Sequence, residues 1–446
     1  MELKKIKHTE KRLPGGAKIL VLNTGAVIDP EADAMLQALH SRSTGGIKKH
    51  LKVLEEKGAK DFMSKFYVGY GHKSIGDCGS VTIFIEGVSM LAAKAIQDWP
   101  LYSGQESSTR YIDFAGQRFI DPVGSLDSGK ILEGWRAFYL RGVKQMIPAL
   151  KERFPIMDGE KEVLYEKAIG ARAFDTMRGF LPGGTSTNLA WHSNLRQIAD
   201  KLVELRHHPL EEVRNIAIGI ERAVHKALPN SFDTTRYPET ESYVKKYMKK
   251  YYYKDRKCPE FEVSADDIKV ELLKEYRSEI NSRPPKTELP KRISECGTME
   301  FRFKLDFGSF RDIQRHRAVT QRMPLVTDSH GFGSWYLNEM TPKMRAEAKE
   351  LLREQKKRTK DLNTEPETRQ YYIPMGYELP NRLTGNLHAL IYLVELRSTR
   401  FVHPTLRKVA RKMASEINKR HGIKIHLDQN SDRFDTRRGE QDIVMK

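Results

Sequence analysis

The sequence predicts an α+β protein built from two tandem copies of one domain. A nine-residue module, H-K-S-I-G-D-C-G-S, occupies residues 72–80 and recurs as P-K-R-I-S-E-C-G-T at 290–298. The pentapeptide L-V-E-L-R occurs at 202–206 and again at 393–397. Segments with the period-2 pattern of strands alternate with amphipathic segments typical of helices, which is the pattern of an α+β fold. Because the repeat is far longer than a solenoid unit, it indicates a duplicated domain.

The two copies are collinear. N-L-R at 194–196 and N-L-H at 386–388 precede the pentapeptide, and His-Pro follows it in both copies. Pro182 and Pro374 each stand 12 residues before the Asn. From the module's Cys to this Pro there are 104 residues in the first copy and 78 in the second, so insertions or deletions totalling 26 residues lie between.

The repeat and the length set the domain boundaries. At 446 residues, two to three domains of about 150 residues each are expected. We predict a first copy at 1–240, a linker at 241–260 and a second copy at 261–446. The linker includes all of YVKKYMKKYYYKDRK, residues 243–257. Its Lys and Tyr residues suit nucleic acid but fit a polar inter-domain helix or linker better. The net charge of 77 − 59 = +18 implies an anionic partner, either a phosphorylated metabolite or nucleic acid.

Composition argues against several other classes. No run of 18 apolar residues exists, and the start MELKKIKHTEKRLPGG lacks an apolar signal core, so we expect a soluble cytoplasmic protein without membrane contact. Three cysteines, Cys78, Cys258 and Cys296, are too few for a disulfide framework in a chain of this length. No C-x-x-C or H-E-x-x-H spacing occurs, and we expect no metal.

Local patterns predict the elements that carry the motifs. Residues 299–306 alternate apolar and charged side chains, which predicts a half-buried strand, and 81–85 is its counterpart. Gly308 and Gly87 are expected to end these strands. Helices are predicted at 88–97 and 309–317, at 194–206 and 386–397, and at 32–54, 210–228 and 406–417. Arg315-His316-Arg317 therefore lies near a helix C-terminus.

Three groups of residues have chemistry suited to a nucleotide. Arg315 and Arg317 flank His316 and offer charged, forked donors for phosphate or pyrophosphate, although such a triplet also occurs in surface basic clusters. Residues 107–111 form a hydroxyl-rich turn with one Arg that suits a nucleotide monophosphate, or simply caps a turn. Arg178, Arg206 and Arg397 suit a phosphate or a pyrimidine edge, although lone helix arginines are usually solvated or ion-paired.

Together these motifs resemble the flavin-dependent thymidylate synthases. The family signature is R-H-R followed by N-E-x-S-x-R-Y. The second copy matches the first part at 315–317, and the first copy matches the second part at 105–111 as Q-E-S-S-T-R-Y. The family's later R-x-x-L-P, N-x-R and L-R are matched at 178–182, 194–196 and 205–206, with partial matches at 373–374, 386–388 and 396–397. In place of the family's acidic-His pair stand Asp77-Cys78 and Glu295-Cys296.

The resemblance implies an architecture. Each copy is then a thymidylate synthase-complementing-protein-like domain of sheet and helices, and the copies pack as a pseudo-dimer. The family forms homotetramers whose sites lie between subunits. One composite site between the copies then survives, and a homodimer of this chain imitates the tetramer.

The resemblance also implies an activity and its residues. The reaction is reductive methylation of dUMP to dTMP, with methylenetetrahydrofolate as carbon donor, FAD as flavin and NADPH as reductant. The flavin residues are Arg315, His316, Arg317, Asn386, His388, Asn194 and Arg196. The nucleotide residues are Glu106, Ser108, Arg110, Tyr111 and Arg178. The catalytic candidates are Arg397, which we expect to stabilise negative charge developing on the uracil ring, and Arg206.

Two alternatives stay open at this point. The chain can be a diverged flavoenzyme that modifies another pyrimidine nucleotide, or a non-catalytic nucleotide or nucleic-acid binder with the same fold. A bound flavin separates the enzymes from the binder.

Overall fold

A computed structural model describes residues 8–22, 29–40, 46–69, 73–110, 114–232, 235–430 and 434–441. The strands are β1 His8–Arg12, β2 Lys18–Leu22, β3 Ser80–Ser89, β4 Ser103–Glu106, β5 Ser186–Asn194, β6 Phe261–Asp266, β7 Thr298–Asp306, β8 Thr320–Gln321 and β9 Glu378–Asn386. The helices are α1 Pro30–His40, α2 Gly46–Lys57, α3 Lys60–Phe62, α4 Lys73–Gly76, α5 Met90–Gln97, α6 Leu126–Arg153, α7 Glu162–Met177, α8 Leu195–Leu205, α9 Glu211–Ala227, α10 Pro238–Met248, α11 Val270–Glu275, α12 Arg277–Ser282, α13 Phe307–Ile313, α14 Ser334–Glu339, α15 Pro342–Asp361, α16 Pro366–Arg369, α17 Leu387–Arg397 and α18 Pro404–His421. Sheets and helices of this number confirm the mixed α+β class.

The chain folds as two compact units. The first unit comprises residues 1–107 and 186–251, and the second comprises 108–185 and 252–446. Residues 108–185, which belong to the first sequence copy, are therefore part of the second unit. The predicted linker begins within α10, a helix of the first unit. The boundaries of the sequence copies and their packing as a pseudo-dimer stay predictions.

The sheets of the two units have the same order and register. The first sheet runs β1-β2-β3-β5-β4, and the second runs β6-β7-β9-β8. Within them β3 pairs antiparallel with β5, and β7 with β9. Ser80 lies opposite Asn194, and the equivalent Thr298 lies opposite Asn386. The second sheet therefore repeats the first without β1, as a tandem duplication requires.

Burial follows the predicted patterns. In β7 the side chains of Phe301, Phe303 and Leu305 are at most 2% exposed, while Arg302 on the other face forms an ion pair with Glu262. α9 packs against β1 and β2, and its counterpart α18 packs against β6 and β7. The apolar positions predicted for the two amphipathic helices are buried: Leu195, Ile198, Leu202 and Leu205 in α8, and Leu387, Leu390, Ile391 and Val394 in α17.

Gly87 and Gly308 were expected to end their strands, and the structure shows that neither does. β3 continues to Ser89, and Gly87 (φ +67°) lies at a bulge where the pairing with β5 shifts register. Gly308 lies inside α13, after β7 has ended at Asp306. The extra residue in the bulge explains why the offset between copies falls from 218 at the cysteines (296 − 78) to 217 at the helix caps (306 − 89).

One further helix prediction needs correction, and another is tested only in part. The described residues of the helix predicted at 32–54 are helical and form α1 and α2, and residues 41–45 lie outside the described residues. The helix predicted at 309–317 is the shorter α13, because Arg397 donates a hydrogen bond to the carbonyl of Asp312 (2.9 Å) in its last turn.

Candidate active site

The R-H-R segment leaves the C-terminal end of α13. Asp306 caps the start of this helix by accepting a hydrogen bond from the Ser309 N–H (2.9 Å). Arg315 and Arg317 are exposed, and within the described part of the chain neither side chain has a hydrogen bond or a close ion pair. Two guanidinium groups held on one short loop suit an anionic ligand.

His316 is buried between these arginines and bonds to Arg397. The Arg397 Nε–H donates to His316 Nε2 at 2.7 Å. Burial, together with the charge of Arg397, lowers the pKa of His316 to about 3. The imidazole is therefore neutral near pH 7, and because Nε2 accepts, its proton resides on Nδ1. Nδ1–H is thus a donor beside the two exposed arginines.

Arg178 reaches the same place from the first sequence copy. Its side chain is 2% exposed and donates to Ser309 Oγ at 3.2 Å. Its Nη1 lies 3.9 Å from Asp312 Oδ2. Burial alone would raise the pKa of Asp312, but surrounding guanidinium groups outweigh it and lower the pKa. These groups belong to Arg178, Arg110, Arg315 and Arg397.

Arg110 and its neighbour Thr109 complete this arrangement. Arg110 docks on the fully buried Asp175 through Nε and Nη2, at 2.8 and 3.1 Å. The second oxygen of Asp175 also lies 2.5 Å from Nη2 of Arg438. Although burial opposes it, the charges of Arg110 and Arg438 hold the pKa of Asp175 well below its ordinary value. Arg311 Nη1 donates to Thr109 Oγ1 at 3.1 Å.

The rest of the hydroxyl-rich turn is only partly described. Ser108 is half-buried, and its Oγ accepts a hydrogen bond from the Arg110 N–H at 3.3 Å. This is the contact of a capping turn, which the sequence offered as an alternative. Tyr111 lies outside the described residues.

We call these charged groups the arginine cluster, and all of them belong to the second unit. The cluster consists of Arg110, Arg178, Arg311, Arg315, Arg397 and Arg438 with Asp175, Asp306 and Asp312. Its described side chains hold six guanidinium groups and three carboxylates, so positive charge predominates. Such a set suits phosphorylated ligands.

Glu106, predicted to bind nucleotide, is a core residue of the first unit. Its carboxylate accepts from Lys94 Nζ at 2.7 Å and from Gln97 Nε2 at 2.9 Å. The side chains of Glu106 and Lys94 are both 0% exposed. The Glu106 carboxylate is therefore engaged by Lys94 in a buried ion pair, and removing either partner would be costly.

Arg206, a catalytic candidate, is also held within the first unit. It forms ion pairs with Glu221 (2.9 Å) and Glu241 (2.5 Å). Glu241 also bonds to His207 at 2.6 Å. Burial would raise the pKa of Glu241, but its bonds to His207 and Arg206 lower it. The described contacts thus engage Arg206 with two carboxylates.

The remaining flavin candidates have structural contacts. Asn194 and Asn386 cap α8 and α17 by accepting from backbone N–H groups at 2.8 and 2.9 Å. Arg196 Nε donates to Asp77 Oδ1 at 2.8 Å, beside the module's cysteine. His388 Nε2 lies 3.9 Å from Glu288. The structure brings Arg110, Arg178, Arg315, His316 and Arg397 together and leaves Asn194, Arg196, Arg206 and Glu106 in the other unit.

Sequence reasoning missed five residues of the cluster. Asp306 enters the sequence prediction only as a charged position of a half-buried strand. Asp175 and Asp312 each precede a predicted arginine by three residues, a spacing that places side chains on one helical face. Arg311 occupies the position of Lys94 in the other copy, so the repeat could have revealed it. Arg438 lies near the C-terminus in a basic stretch without a distinctive pattern.

The cysteines do not have the surroundings of nucleophiles. Burial raises the pKa of the Cys78 thiol, and the charge of Asp77 adds to the effect. Burial and then Glu295 raise the pKa of Cys296 in the same way. Both groups are therefore thiols rather than thiolates near pH 7.

The fold and the cluster define an α+β protein with two similar sheets and an arginine-rich group of side chains whose charge suits phosphorylated ligands. Comparison with family models identifies the class more closely: the chain belongs to the thymidylate synthase complementing protein family, whose model matches residues 26–230 and 289–422. The family resemblance found in the sequence is thereby confirmed. The two matched segments are consistent with a tandem arrangement.

Similar proteins span most of the chain. A UPF0159 protein of Chlamydia muridarum (strain MoPn / Nigg) is 28% identical over 420 residues, covering 81% of this chain and 79% of that protein. A UPF0159 protein of Thermoplasma acidophilum is 23% identical over 440 residues, covering 82% and 87%. The structure of a UMP/dUMP methylase PolB from Streptomyces cacaoi bound with 5-Br UMP is 14% identical, with a TM-score of 0.28 over 48% of this chain and 89% of that chain. At that TM-score the likeness carries no argument.

Every helix among the described residues is too short or too polar to span a membrane. No three His, Cys, Asp or Glu side chains among them come close enough to hold a metal ion.

Proposed function

We propose that this chain is a flavin-dependent enzyme that methylates dUMP to dTMP, with methylenetetrahydrofolate as carbon donor and NADPH as reductant. The observation that carries the proposal is the arginine cluster. It joins Arg110 and Arg178, from the copy that keeps the nucleotide motif, to Arg315 and His316, from the copy that keeps R-H-R. Family membership supports the same reaction class.

The donor set around R-H-R fits FAD. Its pyrophosphate is anionic, and Arg315 and Arg317 offer exposed guanidinium groups with no close partner among the described residues. Neutral His316 adds the Nδ1–H donor. FAD, when bound, supplies the hydride that reduces the transferred carbon. Asn386 and His388 lie on the adjoining helix, and the first-copy candidates Asn194 and Arg196 need a second site or a second chain.

The other half of the cluster fits the nucleotide. Arg110 and Ser108 hold the dUMP phosphate, because a forked guanidinium and a hydroxyl match its oxygens. Arg178 helps to keep the carboxylate of Asp312 ionised, so both groups stay charged beside the proposed nucleotide. Arg397, held by His316 and the Asp312 carbonyl, stabilises the negative charge that develops on the uracil ring.

A different pyrimidine nucleotide or carbon donor is the second candidate. In both copies the acid beside the cysteine is already engaged: Asp77 holds Asn194 and Arg196, and Glu295 accepts from Tyr276. The folate contact is therefore the part of the proposal that departs furthest from the family pattern. Product analysis with dUMP and with UMP separates the two candidates.

The first experiment asks whether the purified chain is yellow, or becomes yellow with added FAD. The second asks whether it rescues a thymidine auxotroph, and whether Arg315→Ala and Arg110→Ala each abolish rescue. Arg12→Ala, at an exposed arginine of the first unit, is the control and retains rescue. A colourless chain that takes up no FAD would overturn the flavin proposal. Rescue that survives both cluster substitutions would overturn the composite site.

A further inference from the structure

We infer that a C-terminal strap, residues 434–441, belongs to the nucleotide site and that its Arg438 is a positioning residue for Arg110. The inference rests on the proposed function, because it assigns a role at the phosphate end of that site. It adds a residue that the family pattern does not contain, since the family model ends its match at residue 422. The contacts of the strap, the burial of Arg438 and its ion pair with the buried Asp175 carry the argument.

The strap is fastened to α7 and α6 along its length. Phe434 stacks on Phe154, with ring centroids 5.2 Å apart, and meets the edge of Tyr165 at 6.0 Å. Thr436 Oγ1 donates to Glu160 Oε1 at 2.8 Å. Gly439 passes so close to the helix that a Cβ atom there would lie 2.2 Å from the Leu164 carbonyl oxygen. A glycine is therefore required at this point.

These contacts of the strap place the side chain of Arg438 beside Asp175. Arg438 is 8% exposed, and its Nη2 lies 2.5 Å from Asp175 Oδ2. Arg110 docks on both oxygens of the same carboxylate. Asp175 has no exposed surface.

Two guanidinium groups thus share one buried carboxylate. Arg438 fixes the rotation of the Asp175 carboxylate, and that carboxylate fixes the fork of Arg110. The positive charge of Arg438 also neutralises part of the charge of the Asp175 carboxylate, so Asp175 attracts Arg110 less strongly. Arg110 is then a better partner for an incoming phosphate. Without Arg438, Asp175 and Arg110 form a tighter closed pair that competes with the ligand.

The test measures how the full-length chain binds dUMP and deoxyuridine, which differ only in the phosphate. Calorimetric titration of Arg438→Gln is expected to show about tenfold weaker dUMP binding, the loss of one charge-assisted contact, with deoxyuridine unchanged. Arg438→Lys keeps the charge but not the fork, and is expected to restore part of the loss. In turnover assays the Arg438→Gln defect appears in KM for dUMP rather than in kcat.

Matched variants separate positioning from stability. Arg437→Gln removes the same charge from the neighbouring exposed position, which pairs with Asp435, and is expected to bind dUMP like the wild type. Gly439→Ala keeps Arg438 but lifts the strap from Leu164, so it is expected to show the same selective loss; it also serves if Arg438→Gln does not fold.

The outcomes are distinguishable. Equal weakening of dUMP and deoxyuridine, or unchanged dUMP binding in both strap variants, would overturn the positioning role while leaving the proposed function intact. A wild-type chain that binds dUMP with the phosphate preference lost in Arg438→Gln, but makes no dTMP, would refute the proposed reaction and retain the role of Arg438. A wild type that binds no dUMP overturns both.

Discussion

Asp98-Trp99-Pro100 and Arg315-His316-Arg317 occupy the same position in the two copies, yet one is closed by its own side chains and the other is not. Each follows a capped helix after equivalent strands, α5 after β3 and α13 after β7. In the first copy Trp99 Nε1 donates to Gln197 (3.0 Å), and Lys201 donates to the Asp98 carbonyl (2.7 Å). The loop there is engaged in structural contacts.

In the second copy the same positions have different chemistry. Counted from the caps Asn194 and Asn386, Gln197 is replaced by Ala389 and Lys201 by Leu393, which cannot make those hydrogen bonds. The neighbouring Tyr392 meets His316 edge to face at 6.0 Å. The arginines on either side of His316 are exposed. The same backbone is therefore compatible with two arrangements, and the side chains at a few equivalent positions decide whether the loop is packed or exposes two arginines.

The basic residue one turn earlier shows the same divergence. Lys94 and Arg311 are equivalent and both are buried. Lys94 meets Glu106 and neutralises it, whereas Arg311 meets the hydroxyl of Thr109. The first contact pairs two opposite charges, and the second joins a guanidinium group to a hydroxyl of the nucleotide motif.

The largest effect is expected from removing the buried ion pair between Lys94 and Glu106 in the first copy. Glu106→Ala leaves Lys94 buried without its carboxylate, which lowers the free energy of unfolding by about 3–5 kcal/mol in urea titrations. The double variant Lys94→Met with Glu106→Leu recovers most of that loss, because apolar side chains fill the space without charge. Unchanged stability with weakened dUMP binding would instead make Glu106 a ligand residue, as the sequence had predicted.

The next effect concerns the equivalent arginines Arg397 and Arg206. Arg397→Ala is expected to lower kcat for dTMP formation about 10²- to 10³-fold, because a donor to the developing charge is lost. Arg206→Ala breaks ion pairs with Glu221 and Glu241, so it lowers thermal stability and leaves kcat per folded molecule unchanged. If Arg397→Ala turns over normally, the second copy holds no catalytic arginine at this position.

Sequence patterns predicted the local structure and the second-copy half of the site. Strands, amphipathic helices and the repeat follow from residue periodicity, and Arg315 was placed near a helix end because the strand before it was evident. The uses of Glu106 and Arg206 were beyond such reasoning. Their partners Lys94 and Glu241 lie 12 and 35 residues away and carry no motif of their own.

Arg438 and the unit boundaries illustrate a different limit. Its partner Asp175 is 263 residues away in sequence, and only the folded chain brings them together. Likewise, no composition change at residues 108 or 185 signals that this segment belongs to the second unit. The order of the motifs identified the family and its motif residues, but it did not show which structural unit contains each residue.

A smaller effect is expected at the exposed arginines. Arg315→Ala is expected to weaken FAD binding about ten- to hundredfold, as the loss of one hydrogen bond from a charged donor predicts. Asp98→Ala, at the equivalent position of the first copy, is the matched control and leaves FAD binding unchanged. Titration by flavin fluorescence measures both. Weakening by Asp98→Ala equal to that by Arg315→Ala would place the flavin equally in both copies.

The last prediction concerns the dependence of stability on pH, which distinguishes His316 from its counterpart Trp99. The folded pKa of His316 is about 3, below the ordinary value of 6.5, so between these pH values the unfolded chain binds a proton that the folded chain does not. Its contribution to stability is complete above pH 6.5 and is lost as the pH falls, by up to about 1.4 kcal/mol per pH unit. His316→Gln keeps an acceptor for Arg397 and is expected to flatten the dependence of unfolding free energy on pH between 6.5 and 4.

His208 and His403 are also buried with pKa values well below normal, so the chain as a whole keeps a pH dependence after this change. Trp99→Phe removes no titrating group and is expected to leave the slope of the wild type. The difference between the pH slopes of His316→Gln and Trp99→Phe therefore measures the proton that His316 takes up on unfolding. A slope for His316→Gln equal to that of Trp99→Phe would mean that His316 takes up its proton over the same pH range in the folded and the unfolded chain. The R-H-R segment would then offer three cations below about pH 6.5 instead of two cations and a neutral donor.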